Sequence, residues 1–237
     1  MPRPDWFPDE VAFAGRENLE PAHVARYDGK EDSAAAAEVE LLERFGLDPS
    51  STVVELGPGT GQFTAEVAGR CRRLVAVDVS EPMLAHLRSK LAGLGIANAE
   101  LVQAGLLGYE HSGAPADFVY SRLTLHHLPD FWKVVALDSI RGLLRPGGIF
   151  RLSDVVFGFE PAEISAGLEA WFATGGDDPE QGWTRAEFEE HVRDEHSTFT
   201  WLLEPMLERA GFEILESEHS ADGILAAYVL RAAAPGA

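Results

Sequence analysis

Three glycines at alternate positions follow a short apolar run in the segment VVELGPGTGQF, residues 53–63. Gly57, Gly59 and Gly61 would let the backbone approach a ligand closely where a strand turns into a helix, whose first N–H groups are unpaired. Glu55 stands in front of them. Beside a pyrophosphate its charge would cost up to about 4 kcal/mol at about 4 Å and an effective dielectric of about 20. The same charge suits a ligand that carries ammonium and sulfonium groups.

The spacing of these glycines separates two cofactor classes. The dinucleotide fingerprint is G-x-G-x-x-G, whereas this loop is G-x-G-x-G, with Phe63 two residues beyond the last glycine. A nicotinamide-dependent oxidoreductase is therefore the weaker interpretation. S-adenosylmethionine carries both an ammonium and a sulfonium group, so it is the cofactor that the loop and Glu55 favour.

Two adjacent histidines are candidates for proton transfer. His126 and His127 lie in TLHHLPD, at the end of a predicted strand, and His196 and Asp154 are further candidate bases behind them. A base is needed only where the nucleophile is a hydroxyl, a phenol or an acidic carbon. The alternative for the pair is a packing role that orients the loop before the helix start at Pro129.

The elements that must position these residues alternate along the chain. Buried strands are predicted at TVVEL, RLVAVDV, AELVQA, ADFVYS and GIFRLSDVVF, and two closing strands at FEILESE and ILAAYVLR. Helices are predicted between them, for example from the N-cap Ser80 to Gly95. Strands separated by helices indicate βαβ units and a parallel sheet, hence an α/β fold. We expect one domain over residues 1–237, with an N-terminal helical segment (1–48) and a cap insert at about 156–200.

Composition excludes several function classes. The chain has 237 residues, 46% of them hydrophobic, and a net charge of -20, which argues against nucleic acids and anionic membranes as partners. Its single cysteine, Cys71, allows no internal disulfide and suggests no cysteine-based metal site, and we predict no metal. We find neither a membrane span nor a signal peptide in the sequence, and therefore predict a cytoplasmic protein, monomeric or homodimeric.

Four motifs together resemble a known family. VVELGPGTG, the strand ending at Asp78, ADFVYSRLTLHHLPD and LLRPGGIF occur in this order. In this the chain resembles the class I S-adenosylmethionine-dependent methyltransferases of the small-molecule type. The resemblance implies a Rossmann-like sheet of seven strands, mostly parallel with the last antiparallel, and helices on both faces. It also implies that S-adenosylmethionine binds at the carboxyl ends of the strands.

The resemblance assigns contacts with each part of this cofactor. They are Gly57, Gly59 and Gly61 around the methionine end and ribose, Glu55 at the amino-acid moiety, Asp78 on both ribose hydroxyls, Val79 and Met83 on one adenine face, Leu106 on the other, and Ser121 near the methionine tail. Tyr27 and Lys30, in ARYDGKED, are further candidates that would close over the cofactor from the N-terminal segment.

One position departs from the family pattern. Members often carry an acid after the third strand that accepts the adenine amino group, and here Gly105 occupies that place. Gln103 or the backbone could supply the hydrogen bond instead. Its absence would weaken affinity by only about 0.5–1.5 kcal/mol.

The acceptor site is expected to come from the cap insert and the N-terminal segment. Trp171, His196 and Trp201 are the candidate substrate-binding residues, and their aromatic character predicts a small, largely apolar substrate. The nucleophile, O, N or C, stays open. A non-catalytic S-adenosylmethionine-binding protein is the alternative function.

Overall fold

The seven predicted strands and a short eighth strand that was not predicted, Thr198–Phe199, form one sheet. The computed structural model describes residues 4–30, 33–179 and 181–234. Its strands are β1 (Thr52–Leu56), β2 (Arg73–Asp78), β3 (Ala99–Gln103), β4 (Ala116–Arg122), β5 (Leu144–Phe157), β6 (Thr198–Phe199), β7 (Phe212–His219) and β8 (Leu225–Ala232). Its α-helices are α1 (Arg16–Leu19), α2 (Pro21–Lys30), α3 (Ala35–Arg44), α4 (Gln62–Val67), α5 (Glu81–Leu94), α6 (Asp130–Leu143), α7 (Ile164–Phe172), α8 (Arg185–Asp194) and α9 (Thr200–Arg209).

The strand order confirms the mostly parallel sheet expected from the sequence. The order is β3-β2-β1-β4-β5-β8-β7, with β1 to β5 parallel and β8 antiparallel to both of its neighbours. The short β6 pairs with the carboxyl end of β5 outside this path. Because the chain crosses from β3 to the far side of β1 at β4, the loops after β1 and β4 leave the same edge side by side. Open α/β sheets bind ligands at such a point.

Helices cover both faces because successive residues of a buried strand point to opposite sides. Val53 of β1 packs in one cluster with Leu42 of α3, and Val54 packs in another with Leu137 of α6. The predicted cap of α5 is confirmed, since the Ser80 hydroxyl accepts a hydrogen bond from the Met83 N–H at 3.1 Å. These local signals fix where the strand-end loops begin.

The N-terminal segment and the insert meet above the carboxyl edge of the sheet. The Nζ atom of Lys30 lies 2.5 Å from Oε1 of Glu187 and 4.7 Å from the centroid of the Trp183 ring. The capping box predicted at Thr184 is present at the start of α8. No helix in the described part of the chain is long and apolar enough to cross a membrane. The assignment of the chain to one domain with these two segments stays a prediction.

A buried ion pair ties α3 to the middle of the sheet. Arg151 of β5 donates from Nε and Nη2 to both carboxylate oxygens of Glu38, at 2.8 and 2.7 Å. The side chains are 6% and 15% exposed, so water screens the pair little. Removing one partner of such a pair leaves an uncompensated buried charge.

We therefore expect Glu38→Ala to lower the free energy of unfolding by about 3 kcal/mol, the lower end of the range for broken buried pairs. The exposed Glu40→Ala on the same helix should change it by less than about 0.5 kcal/mol. Glu38→Ala/Arg151→Met should recover most of the loss, because no charge is then left buried alone. Urea unfolding measures all three variants. Equal losses in Glu38→Ala and Glu40→Ala would contradict the assigned role of the pair.

Candidate functional site

The glycine loop after β1 forms the floor of a cavity at the carboxyl edge. Gly57, Gly59 and Gly61 have φ values of 72°, 53° and 80°, a region that side chains rarely adopt. A Cβ on Gly57 would lie 2.0 Å from the Thr124 hydroxyl, and one on Gly61 would lie 2.1 Å from Leu87. Packing therefore explains two of the glycines. Gly59 lines the open cavity instead.

Asp78 ends β2 beside this loop, as the sequence predicts. Its Oδ2 accepts a hydrogen bond from the Gly59 N–H at 3.2 Å, and its Oδ1 accepts one from the Ser80 N–H at 2.8 Å. Each oxygen retains a lone pair for a further donor. Burial raises the pKa of Asp78 to about 6, against the effect of these backbone hydrogen bonds. The group is thus an ionised acceptor at neutral pH.

Glu55 differs electrostatically from the expectation of a charged partner. It lies within β1, 2% exposed, and Oε2 accepts a hydrogen bond from the Thr64 hydroxyl at 2.6 Å. Burial raises the pKa of Glu55 to about 8, and the nearby Asp78 adds to this, so the carboxyl is mostly protonated at pH 7. A ligand ammonium close by would favour its ionised form again. Thr64, its partner, was missed in the sequence.

The predicted cofactor residues divide into cavity walls and supports. Those that line the cavity are Tyr27, Gly57, Gly59, Asp78, Val79, Gly105 and Leu106. Glu55, Gly61 and Met83 lie behind this lining and are buried. Ser121 lies opposite Leu56 at the ends of β4 and β1, and its buried hydroxyl has no hydrogen-bond partner within the part of the chain that the structure describes.

A carboxylate from the N-terminal segment stands beside Gly105, which the sequence did not indicate. Oε2 of Glu10 accepts a hydrogen bond from the Leu107 N–H at 3.0 Å. A Cβ on Gly105 would lie 2.2 Å from the Glu10 carboxyl carbon. The Glu10 carboxylate thus occupies the space that a side chain at position 105 would fill. Gln103 donates to the Val79 carbonyl at 3.3 Å and is exposed.

A second, larger cavity adjoins the first. The first measures about 680 Å³ and the second about 1790 Å³, counting their open mouths. The residues that line both are Phe13, Ala14, Asn18, Tyr27, Arg122, Leu123 and His127. Leu123 follows β4 with a φ of 49°, an unusual value for a side-chain-bearing residue. This strained loop separates the two cavities.

The insert contributes part of the second cavity, although not through every predicted residue. Trp171 lines it, together with Trp183 and Phe188. Trp201 is 49% exposed and stacks on Phe199, so the structure does not bring it to either cavity. His196 also lies outside both linings, and its ring packs edge-on against Phe13.

The two predicted catalytic histidines lie on the wall of the second cavity in different environments. His126 has Asp154 at Nδ1 and Oε2 of Glu195 at 2.9 Å from Nε2. Burial lowers its pKa, but the two carboxylates outweigh this and raise it to about 10. Burial and the charge of His126 lower the pKa of His127 to about 3. With both ring nitrogens engaged, His126 is poorly placed to accept a proton from a substrate.

Glu195 and His191 complete this cluster and were missed as functional residues. Nδ1 of His191 lies 2.8 Å from Oε2 of Glu195, and the two are four residues apart. Burial raises the pKa of Glu195, but its contacts with His126 and His191 dominate and hold it well below its usual range. The H-x-x-x-E spacing was the available signal, although Glu195 lies one residue beyond the end of α8.

Comparison with known proteins gives the same assignment for the glycine loop and the strands around it. Residues 53–148 match the family described as Methyltransferase domain. The chain is 34% identical over 100 residues to ribosomal RNA small subunit methyltransferase A of Koribacter versatilis, covering 42% of this chain and 34% of that protein. It is 34% identical over 123 residues to trans-aconitate 2-methyltransferase of Azoarcus sp., covering 51% of this chain and 46% of that protein. The chain thus spans less than half the length of both relatives.

A solved structure shares the fold more completely. An S-adenosylmethionine-dependent methyltransferase from Clostridium acetobutylicum superposes with a TM-score of 0.67, covering 90% of this chain and 98% of that one, at 13% identity. The strand order, the glycine loop and the match at residues 53–148 agree with it. Residues 53–148 thus match a methyltransferase domain, and the chain shares the fold of S-adenosylmethionine-dependent methyltransferases.

Proposed function

We propose that this protein transfers a methyl group from S-adenosylmethionine to a small, largely apolar molecule. The observation that carries the proposal is the pair of adjoining cavities, one built on the strand-end residues and one roofed by the insert. They meet at Leu123 and His127. A donor in the first cavity and an acceptor in the second would therefore be neighbours.

The residues of the first cavity fit the cofactor. Asp78 offers two carboxylate oxygens to the ribose hydroxyls, and Gly59 leaves the floor free of side chains. Val79 and Leu106 would hold the adenine. The partnerless hydroxyl of Ser121 would face the methionine tail, and a ligand would satisfy it.

For methyl transfer, the protein mainly has to position the acceptor. S-adenosylmethionine supplies, when bound, a methyl group on a positively charged sulfur. The chain must hold the acceptor in line with it, which can contribute about 7–11 kcal/mol. His127 borders both cavities and is the histidine nearest to this junction in the linings. The role of base for His126 or His127 stays a prediction.

Charge and cavity chemistry support a small acceptor. The second cavity has aromatic walls at Trp171, Trp183 and Phe188, with carboxylates at its edge. A net charge of -20 disfavours RNA, although one relative is named for ribosomal RNA. A cytoplasmic monomer or homodimer without nucleic-acid or membrane partners belongs to the same proposal.

Two alternatives are separable from this function. A protein that binds S-adenosylmethionine without transferring its methyl group would show binding and no product. A nicotinamide-dependent oxidoreductase would bind NAD instead. Incubation with methyl-labelled S-adenosylmethionine and metabolite extracts, followed by mass spectrometry, decides among the three. Absence of any labelled product despite tight cofactor binding would leave the binding protein as the function.

Asp78→Ala should lower the affinity for S-adenosylhomocysteine, measured by calorimetry, at least about tenfold. The reason is that a hydrogen bond to a charged group contributes about 1.5–3 kcal/mol. Asp138→Ala, at an exposed position of α6, is the control. Unchanged affinity in Asp78→Ala would show that the ribose is held elsewhere.

The pKa of Asp78 also predicts a pH dependence. Methylthioadenosine carries the ribose without the amino-acid moiety, so it isolates this contact. The ionised carboxylate accepts both hydroxyls, and protonation below about pH 6 removes that capacity. Affinity should be constant above pH 7 and fall by up to about tenfold for each further unit below 6. Asp78→Asn should bind weakly at every pH, and a retained pH profile in it would contradict the assignment.

Glu10 supplies the hydrogen-bond acceptor that Gly105 lacks. Its carboxylate occupies the space above Gly105, is held by the Leu107 N–H, and lines the first cavity with Val79 and Leu106. An adenine between those two residues would place its amino group near a carboxylate. The N-terminal segment would thus replace a residue of the sheet edge.

Glu10→Ala should lower the affinity for S-adenosylhomocysteine about tenfold, because it removes a hydrogen bond to a charged acceptor. It should have little effect on the inosine analogue, which has a carbonyl in place of the amino group. Glu10→Ala/Gly105→Asp should recover the affinity, since the Asp side chain would take the vacated space. Equal weakening of both ligands would contradict the role of Glu10.

Two tryptophans give a matched test of the acceptor cavity. Once a labelled product is known, Trp171→Ala should raise the KM of its acceptor several-fold, because this ring lines the cavity. Trp201→Ala should leave KM unchanged, since this ring is exposed elsewhere. Initial rates at varied acceptor concentration measure both. A higher KM only in Trp201→Ala would contradict the placement of the acceptor.

A further inference from the structure

Four side chains converge on one point of the second cavity's wall. Oε2 of Glu195 lies 2.9 Å from Nε2 of His126, 2.8 Å from Nδ1 of His191 and 3.8 Å from Nδ1 of His127. The potential ligand atoms of His126, His127 and Glu195 all lie within 4.8 Å of one another. Each of the four side chains is at most 15% exposed, and all four border the cavity.

One atom at the centre of this cluster lacks a hydrogen bond. Within the described residues, Nδ1 of His127 is buried without a hydrogen-bond partner. The Glu195 oxygen is at ion-pair distance from the rings of His126 and His191, and lies 3.8 Å from this nitrogen. A buried polar atom left without a partner costs about 1–3 kcal/mol. A ligand bound between Nδ1 of His127 and Glu195 would satisfy it.

The second nitrogen of each ring is held from behind. Nδ1 of His126 faces Asp154, and Nε2 of His191 lies 2.7 Å from the Ser197 hydroxyl. Nε2 of His127 lies 3.4 Å from the Asn18 side-chain amide, which can present its nitrogen or its oxygen. Partners of this kind fix the orientation of histidines that bind a metal through their other nitrogen.

We propose that His126, His127 and Glu195 bind one divalent transition-metal ion on the wall of the acceptor cavity, with His191 positioning Glu195. Two imidazoles and one carboxylate suit Zn²⁺ or Fe²⁺ better than Mg²⁺ or Ca²⁺, which take oxygen ligands. With metal–ligand bonds of about 2.0–2.1 Å, tetrahedral ligand atoms are about 3.4 Å apart. The distances from Oε2 of Glu195 to His126 and His127, 2.9 and 3.8 Å, bracket that value.

The ion would face the acceptor, which bears on the proposed methyl transfer. A hydroxyl bound to a divalent ion gives up its proton to water at a lower pH than a free one. His126 and His127 would then act as ligands, and neither would need to serve as a base. This consequence rests on the proposed function, whereas metal binding itself does not.

Metal binding can be measured on the whole protein without donor or acceptor. We expect the chelator-treated protein to bind one equivalent of Co²⁺, seen by its visible absorption, and to release it to Zn²⁺. Glu195→Gln should weaken Co²⁺ binding by at least about 100-fold, and His191→Ala and Asp154→Asn should weaken it by about 10–100-fold. Glu190→Gln borders the same cavity outside the cluster and should bind Co²⁺ like the unaltered protein.

Further readouts separate metal loss from misfolding. Zn²⁺ should raise the melting temperature of the unaltered protein and not that of Glu195→Gln, while both keep their affinity for S-adenosylhomocysteine. The proposal is overturned if neither Co²⁺ nor Zn²⁺ binds, or if Co²⁺ binds equally well to His191→Ala and Glu195→Gln. Failure of the methyl-transfer assay with Co²⁺ binding intact would count against the proposed function alone.

Discussion

The carboxylate of Asp154 holds the part of the molecule where the two cavities meet. It accepts hydrogen bonds from the N–H groups of Leu125, His126 and Val155, at 2.8, 3.2 and 2.8 Å, and contacts the His126 ring. One side chain of β5 thereby fixes the loop after β4. That loop contains Leu123, whose positive φ persists only because its surroundings determine it. The wall between the cavities thus depends on a single buried acid.

The acids of the site fall into two groups by pKa. Burial raises the pKa of every one of them, but their neighbours differ. Asp154 and Glu195 have imidazole neighbours, which hold their pKa values low despite burial. Glu55 has only the Thr64 hydroxyl, so burial dominates and its carboxyl is mostly neutral at pH 7. Counting acids near the glycine loop therefore overstates its negative charge. A positively charged ligand group would restore the charge of Glu55 only as it arrives.

Local patterns were enough to predict the sheet and its strand-end loops. Strand β1 was predicted with its observed limits, and Ser80 was identified as a cap, because apolar runs and capping residues act over a few positions. The position of Asp78 could be predicted because this residue ends a strand that the sequence indicates. Glu10 and Glu195 could not, since their positions depend on how distant segments fold back onto the sheet. Trp201 shows the same limit, because an aromatic residue does not specify which way its ring points.

The N-terminal segment controls more than the shape of the first cavity. Its 3₁₀ turn, Glu10–Phe13, lies against the walls formed by Gly105 and Leu106, and Tyr27 reaches over Gly59. A bound nucleoside would sit beneath this turn. Exchange of spent donor for fresh donor would then require the turn to lift and the Glu10–Leu107 hydrogen bond to break. Where that opening is slower than the chemistry, it sets the rate of turnover.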